Sequence, residues 1–313
     1  MQPVNDRSKI AAAVVGVGYL GKFHAEKYAA SEKAALVAVA DIDQPRAQEV
    51  GAQLGVPAVS DYRELFGRVQ CVSVAVPTRL HHQVASDFLT RGVDVLVEKP
   101  IAVDIHQGRE LVDLATAQNL ILQVGHLERF NPAIRRLENL IQEPRFVECH
   151  RLAPFVDRGT DVDVVLDLMI HDIDVIASLV RAAVDRVEAV GVAVLTDKPD
   201  IANARITFSN GCIANVTASR VSMKRERKIR VFQRDAYLSI DYDQHRAQIF
   251  HKPPSGGGWL DIRSETIEIK ETDALADEID SFLDCVRTRS LPLVSGAEGL
   301  RALEIASMIS GQL

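Results

Sequence analysis

The chain has 313 residues, 47% of them hydrophobic and 25% charged, with a net charge of −7. That length suits two domains better than one, the composition is that of a soluble globular protein, and the acidic balance excludes a sequence-independent nucleic-acid binder, which needs a basic face for phosphates. No apolar run approaches the ~18 residues of a membrane helix, and "MQPVNDRSKI" lacks the apolar core of a signal peptide, so a cytoplasmic protein without a membrane partner is expected.

The first predicted strand, Ile10 to Val17, breaks at Gly16, Gly18 and Gly21, which read "GVGYLG" ahead of the helix-like "KFHAEKYAA". This G-x-G-x-x-G follows a strand and opens a helix, the context that gives the motif meaning. Gly16 permits the tight turn, Gly18 lets a pyrophosphate approach the backbone, and Gly21 lets helix and strand pack closely. Tyr19 and Leu20, between the last two glycines, are further candidate cofactor contacts, because the helix N-terminus offers unpaired N–H groups to phosphates.

A second apolar run, "ALVAVA", ends at Asp41, twenty residues after Gly21. That is the spacing at which a dinucleotide fold presents a carboxylate to the adenosine ribose. A carboxylate accepts from two ribose hydroxyls and repels a 2′-phosphate, so NAD is expected over NADP. Arg46 is the one nearby residue able to soften that preference.

"CVSVAVP", "VDVLVEK" and "LILQVG" are near-continuous apolar runs separated by helical segments, as in a doubly wound parallel sheet. Ligands in such sheets sit beyond the carboxyl ends of the strands. Pro77, Thr78, His81, Glu98 and Lys99 follow those ends and are candidate cofactor contacts. Lys99 leaves its strand at the rim where a nicotinamide would lie, as a proton donor or hydrogen-bonding group for a substrate hydroxyl. A salt bridge to Glu98 is the structural alternative.

The second half changes character. Helical stretches are expected over about 132–142 and 163–180. Alternating runs follow, with hairpin signals at "SNG" and "QRDA", so residues 128–313 read as an α+β domain with a mainly antiparallel sheet after a first domain of 1–127. "PPSGGGW" reads as a loop, and the C-terminal "GAEGLRALEIASMISGQ" as an amphipathic helix able to return to the first domain. "ARITFSNGCIANVTA" carries apolar residues at both sets of alternating positions, which predicts a covered sheet face and hence an oligomer. Cys71, Cys149, Cys212 and Cys285 are far apart and read as buried free thiols in a reducing compartment, with no metal site. "LDLMIHDIDVI" sets Asp167 and His171 at i and i+4 on one helix face, a candidate proton relay.

In this order, "VGVGYLG", "VAVADID", "VPTRLHHQVA", "VLVEKPIA", "VGHLERFNP" and "DLMIHDID" resemble the Gfo/Idh/MocA oxidoreductase family over nearly the whole chain. The resemblance implies an N-terminal Rossmann domain, a C-terminal domain with a large open sheet, and Lys99, Asp167 and His171 as the catalytic group. It also implies a cis Lys99–Pro100 bond, common in relatives. "GHLERFNPA" with "TASRVS" and "RKIRVF" is similar to members that oxidise the 3-hydroxyl of UDP-N-acetylglucosamine for lipid A. On that likeness, Lys99, Arg129, Asn131, His171 and Arg220 would contact a nucleotide sugar. Asn131-Pro132 also reads as a helix cap. A dehydrogenase of a free sugar, an inositol or a UDP-sugar acid would share the catalytic residues. A cofactor-bound sensor on the same fold is the non-catalytic alternative.

Overall fold

At Gly16 and Gly21 backbone passes too close for side chains, and the first sheet is built around that crossing. In the computed structural model, which describes residues 9–156, 162–242, 244, 246–252, 263–268 and 272–313, the chain divides into two units. One comprises Met1–Leu127 and Asp273–Leu300, the other Glu128–Thr272 and Arg301–Leu313. The segment Asp273–Leu300, expected with the second domain, therefore belongs to the first unit.

In the first unit, β1 (Ile10–Val15), α1 (Gly21–Ala30), β2 (Ala34–Ala40), α2 (Gln44–Leu54), β3 (Ala58–Val59), β4 (Cys71–Val74), α3 (His81–Leu89), β5 (Asp94–Glu98), α4 (Ile105–Ala117) and β6 (Leu122–Gly125) alternate along the chain. The six strands are all parallel and lie in the order β3-β2-β1-β4-β5-β6. The order reverses between β1 and β4, where a doubly wound sheet opens its ligand crevice. Strand interiors such as Val14, Val72, Val95 and Val97 are fully buried, as strands covered on both faces must be. Local signals set the helix ends: Asp43 accepts from the Arg46 N–H to cap α2, and Gly55 closes it at φ +68°.

The returning helix α7 (Ala274–Thr288) buries Ile279, Phe282, Leu283 and Val286 in the same core as Ile10, Val14, Tyr28 and Leu96. Its N-cap Asp273 accepts from the Ala276 N–H.

In the second unit, α5 (Pro132–Glu138), β7 (Pro144–Leu152), a π-helical turn (Val165–Met169) and α6 (Ile170–Val180) precede β8 (Val184–Val192), β9 (Ile201–Phe208) and β10 (Ile213–Ser219). Then come β11 (Glu226–Gln233), β12 (Ala236–Asp241), β13 (Arg246–His251) and β14 (Arg263–Glu268), and α8 (Gly296–Ser310) enters this unit at Arg301. The eight strands run β14-β13-β12-β11-β7-β10-β9-β8, antiparallel except for the β7–β10 pair. The segment "PPSGGGW" lies outside the described residues.

The expectation that both sets of positions on β9 and β10 are apolar is corrected. Ala202, Ala204, Ile206, Phe208, Ala214, Val216 and Ala218 are buried in one core with Ile170, Ile173 and Ile176 of α6. The other face is polar there: Asn203 donates to Thr217 at 2.9 Å and Arg205 to Asn215 at 3.1 Å. Apolar surface on that face lies elsewhere, in a row of rings across four neighbouring strands. Phe146, Phe232, Tyr237 and Phe250 follow one another at centroid distances of 5.7, 4.7 and 5.3 Å.

Phe282→Ala is expected to cost about 3–5 kcal/mol of unfolding free energy in urea denaturation, the usual range for deleting a fully buried aromatic ring. A cost under about 1 kcal/mol would show that α7 is not part of the first core.

Candidate active site

The first unit brings the predicted cofactor residues to the carboxyl ends of its strands. Gly16 has φ +85°, and a Cβ there would lie 2.7 Å from the Ala75 carbonyl oxygen. A Cβ on Gly21 would lie 1.7 Å from the Gly16 oxygen, so no side chain is possible at that crossing. At Gly18 the nearest atom to such a Cβ is an Arg46 nitrogen at 4.0 Å, leaving an open cradle against bare backbone. No side chain caps α1. Tyr19 and Leu20 are exposed beside that end of the helix.

Asp41 closes the cradle. Its two carboxylate oxygens accept from the Val17 and Asp43 N–H groups, both at 2.9 Å, which fixes its orientation and leaves lone pairs for further donors. Arg46 stands 3.8 Å from Asp41 and 3.0 Å from Asp43. Open backbone at Gly18, an uncapped helix and an oriented carboxylate fit the phosphates and ribose of a dinucleotide.

At the ends of β4 and β5, Pro77 is exposed, Thr78 and Lys99 are half-buried, and the Lys99–Pro100 peptide is cis. His81 is buried, with Nδ1 2.8 Å from the Pro100 oxygen and Nε2 2.9 Å from the Val76 oxygen. It ties two strand-end loops together, with both ring nitrogens facing backbone carbonyls. Glu98 accepts from the Lys99 N–H at 3.2 Å through Oε2 and is bonded to His24 Nε2 at 2.9 Å through Oε1. Burial would raise its carboxyl, but His24 and the neighbouring Lys99 charge hold it below the ordinary value.

In the second unit, Asp167 stands within the π-helical turn and His171 in the first turn of α6. Such turns recur at functional sites, and here one interrupts the i,i+4 geometry assumed from a continuous α-helix. Asp163 caps the turn by accepting from the Val165 and Leu166 N–H groups, both at 3.0 Å. The rest of α6 is anchored by buried ion pairs. Arg151 reaches Asp172 through two bonds of 2.8 Å and Glu128 through one of 3.2 Å. Burial works against the Arg151 charge, yet Asp172 and Glu128 raise its proton affinity well above the ordinary value.

The arginines expected at the sugar are deeply held. Arg129, 5% exposed, lies 3.2 Å from Glu138 and 3.6 Å from Asp174. Arg220, 3% exposed, donates to Asp200 at 2.8 Å, to the Val162 carbonyl at 3.0 Å and to Thr196 at 3.1 Å, with Asp167 at 3.9 Å. Asp200 also accepts from the N–H groups of Val194, Leu195 and Thr196. Arg220 thus stands as a brace beside Asp167. Asn131 accepts from the Ala133 N–H at 2.9 Å, the capping role its Asn-Pro pair suggested. Among the described residues no cluster of His, Cys, Asp or Glu could hold a metal ion. Sequence reasoning missed His24, Ser73, Arg151, Asp172 and Asp200, whose ring or ion-pair partners are distant in the chain.

Two family models cover most of the sequence: an oxidoreductase family with an NAD-binding Rossmann fold over residues 10–126, and the GFO/IDH/MocA C-terminal domain over residues 134–239. The chain belongs to the GFO/IDH/MocA family. Family membership makes the first unit an NAD-binding Rossmann domain and the chain an oxidoreductase. It is 39% identical over 301 residues, 95% of each chain, to the UDP-N-acetylglucosamine 3-dehydrogenase of Acidithiobacillus ferrooxidans. The solved structure of that enzyme, GnnA, superimposes with a TM-score of 0.92 at 38% identity, covering 97% of this chain and 98% of that one. The scyllo-inositol 2-dehydrogenase (NAD(+)) of Bacillus subtilis is 25% identical over 321 residues, 95% of this chain and 92% of its own. A Lactobacillus casei scyllo-inositol dehydrogenase solved with NAD(H) shares the fold, with a TM-score of 0.82 at 21% identity over 97% of each chain.

Asp41→Ala is expected to weaken NAD binding in calorimetric titration by about tenfold or more, the scale of hydrogen bonds to a charged group. NADP binding should suffer less, because the carboxylate that repels a 2′-phosphate is gone. An unchanged NAD-to-NADP affinity ratio would contradict the role of Asp41.

Proposed function

We propose that this protein oxidises the C3 hydroxyl of UDP-N-acetylglucosamine to the 3-keto sugar with NAD. The observation that carries this reading is the near-full-length match at 39% identity to an enzyme of that activity, against 25% to an inositol dehydrogenase. Bound NAD supplies the hydride acceptor.

The chain's own residues supply the rest. Lys99 and His171 serve one hydroxyl: one accepts its proton while the other donates a hydrogen bond to the oxygen as negative charge grows there. Asp167 sets the charge beside His171, and Arg220 with Asp200 holds that carboxylate in place. Arg129 and Arg151 keep α6, and so His171, in a fixed orientation through Asp174 and Asp172. Asn131 fixes the start of α5 and leads into the sugar site. Pro77, Thr78 and Glu98 line the nicotinamide end.

The 3-keto product is suited to amino transfer, which supports a role in supplying the diamino sugar of lipid A, in the cytoplasm. No described helix is long and apolar enough to cross a membrane, and the four cysteines are free and buried. We also propose a homodimer or homotetramer built on the outer face of the eight-stranded sheet, where the half-buried row of Phe146, Phe232, Tyr237 and Phe250 offers apolar surface.

Purified protein with NAD is expected to form NADH, read at 340 nm, with UDP-N-acetylglucosamine far faster than with free sugars or inositols. Lys99→Ala and His171→Ala should each lower kcat by about 10²-fold or more, with NAD affinity and melting temperature little changed. Faster turnover of an inositol would overturn the substrate, and a Lys99→Ala enzyme that melts far lower yet keeps its turnover while folded would make "VEKP" a structural salt bridge. Light scattering at micromolar concentration should show an oligomer that Phe232→Asp dissociates. A monomeric parent protein would exclude that interface.

A further inference from the structure

Behind Lys99 a chain of polar side chains leads from Glu98 into the core of the first unit. Its members come from three elements of the first unit. His24 and Tyr28 are on α1, Ser73 is in β4, and Glu98 ends β5. His24 is 1% exposed, with Nε2 2.9 Å from Glu98 Oε1 and Nδ1 3.1 Å from Ser73 Oγ. Ser73 Oγ in turn lies 3.0 Å from the Tyr28 hydroxyl.

One proton arrangement satisfies every link with a neutral ring. An ionised carboxylate only accepts, so His24 Nε2 carries the hydrogen and donates to Glu98. Nδ1 is then an acceptor, filled by the Ser73 O–H, whose oxygen accepts from Tyr28. Burial keeps the Tyr28 phenol protonated well beyond its ordinary range, so it is a dependable first donor. The other oxygen of Glu98 accepts from the Lys99 N–H. Gly125 leaves the carboxylate its space, since a Cβ there would lie 3.1 Å from Oε2.

The charged and titratable groups facing Glu98 are His24 from α1, Lys99 beyond β5, His81 from α3 and Glu278 from α7. Glu278 is 1% exposed, and neither of its carboxyl oxygens meets a hydrogen-bond partner among the described residues. Burial, and then the Glu98 charge, raise it well above the ordinary value, so it is the neutral member of the carboxyl pair. The negative charge therefore resides on Glu98, the residue adjacent to Lys99.

We propose that His24 is a positioning residue for the dehydrogenase reaction: by donating to Glu98, with Ser73 and Tyr28 fixing its tautomer, it holds an oriented carboxylate against Lys99. That carboxylate keeps the lysine ammonium charged, and thus able to donate to the substrate oxygen, while fixing the backbone from which the side chain departs. The inference rests on the proposed role of Lys99 and names what controls it. An imidazole buried only to fill space would need no carboxylate on one nitrogen and no hydroxyl on the other.

The test compares His24→Leu, which cannot donate, with His24→Gln, which offers an amide N–H to the same oxygen. The first readout needs no cofactor: the carboxyl ¹³C titration of Glu98 in glutamate-labelled protein, assigned with Glu98→Gln. Without the donor, burial dominates, and the titration of Glu98 is expected to move up by about one pH unit or more, the scale of a lost bond to the charged form. The backbone that aims Lys99 also loses its fixed carboxylate, so kcat should fall by about tenfold or more with KM little changed. His24→Gln should restore both toward the parent values. Ser73→Ala, the milder change should His24→Leu fail to fold, should move both in the same direction by less.

Unmoved titrations in His24→Leu, or in Ser73→Ala where that variant stands in, would overturn the proposal. So would a His24→Gln enzyme shifted as far as His24→Leu, which would mark the imidazole as packing. Lys99→Ala separates the two readings. If it retains turnover, the role of Lys99 fails while the Glu98 titration still reports on His24. If it is inactive and the Glu98 titration ignores His24, this inference alone fails.

Discussion

A carboxylate held charged at the end of a central parallel strand organises the first unit. Glu98 sits 14% exposed where β5 runs out, and removing a charge from water costs several kcal/mol unless donors replace the lost hydration. The fold supplies them. The Lys99 N–H and the His24 imidazole provide the hydrogen bonds, Gly125 provides the room, and Glu278 gives up its own charge. A lysine emerging one residue later is tied to that charge through its own backbone N–H, and His81 braces the turn that follows by facing the Pro100 carbonyl.

The glycine loop obeys a different constraint at the neighbouring strand end. Steric exclusion at Gly16 and Gly21 brings the start of α1 against β1, and α1 is the element that carries His24 and Tyr28. The residues that admit the cofactor and those that support Lys99 are thus set by one helix. The second unit uses the same economy. Acidic residues Asp172 and Asp174 follow His171 on α6, and each meets a buried arginine from outside the helix. Paired burial of this kind specifies an orientation more than it adds stability.

Much of this was legible in the sequence where the chemistry is local. "GVGYLG", the acid at Asp41, the strand-end "VEKP" and the Asn-Pro cap are short patterns, and the structure places each at the strand end or helix start that its sequence suggested. The strand β7 was missed because "PRFVECHRL" carries Arg151 on its buried face, and an arginine in a core position is readable only once Asp172 is known to be its partner. The ion pairs of Arg129 and Arg220 were hidden for the same reason, since their carboxylate partners lie at Glu138, Asp174 and Asp200. The π-helical turn at Asp167 and the return of Asp273–Leu300 to the first core are likewise decided by packing between distant segments.

The central claim is that hydride leaves C3 of a nucleotide sugar under the control of Lys99 and His171. UDP-N-acetylglucosamine carrying deuterium at C3 tests it most directly. The account predicts that the deuterium appears in the NADH formed. Deuterium retained in the sugar while NADH accumulates would contradict it.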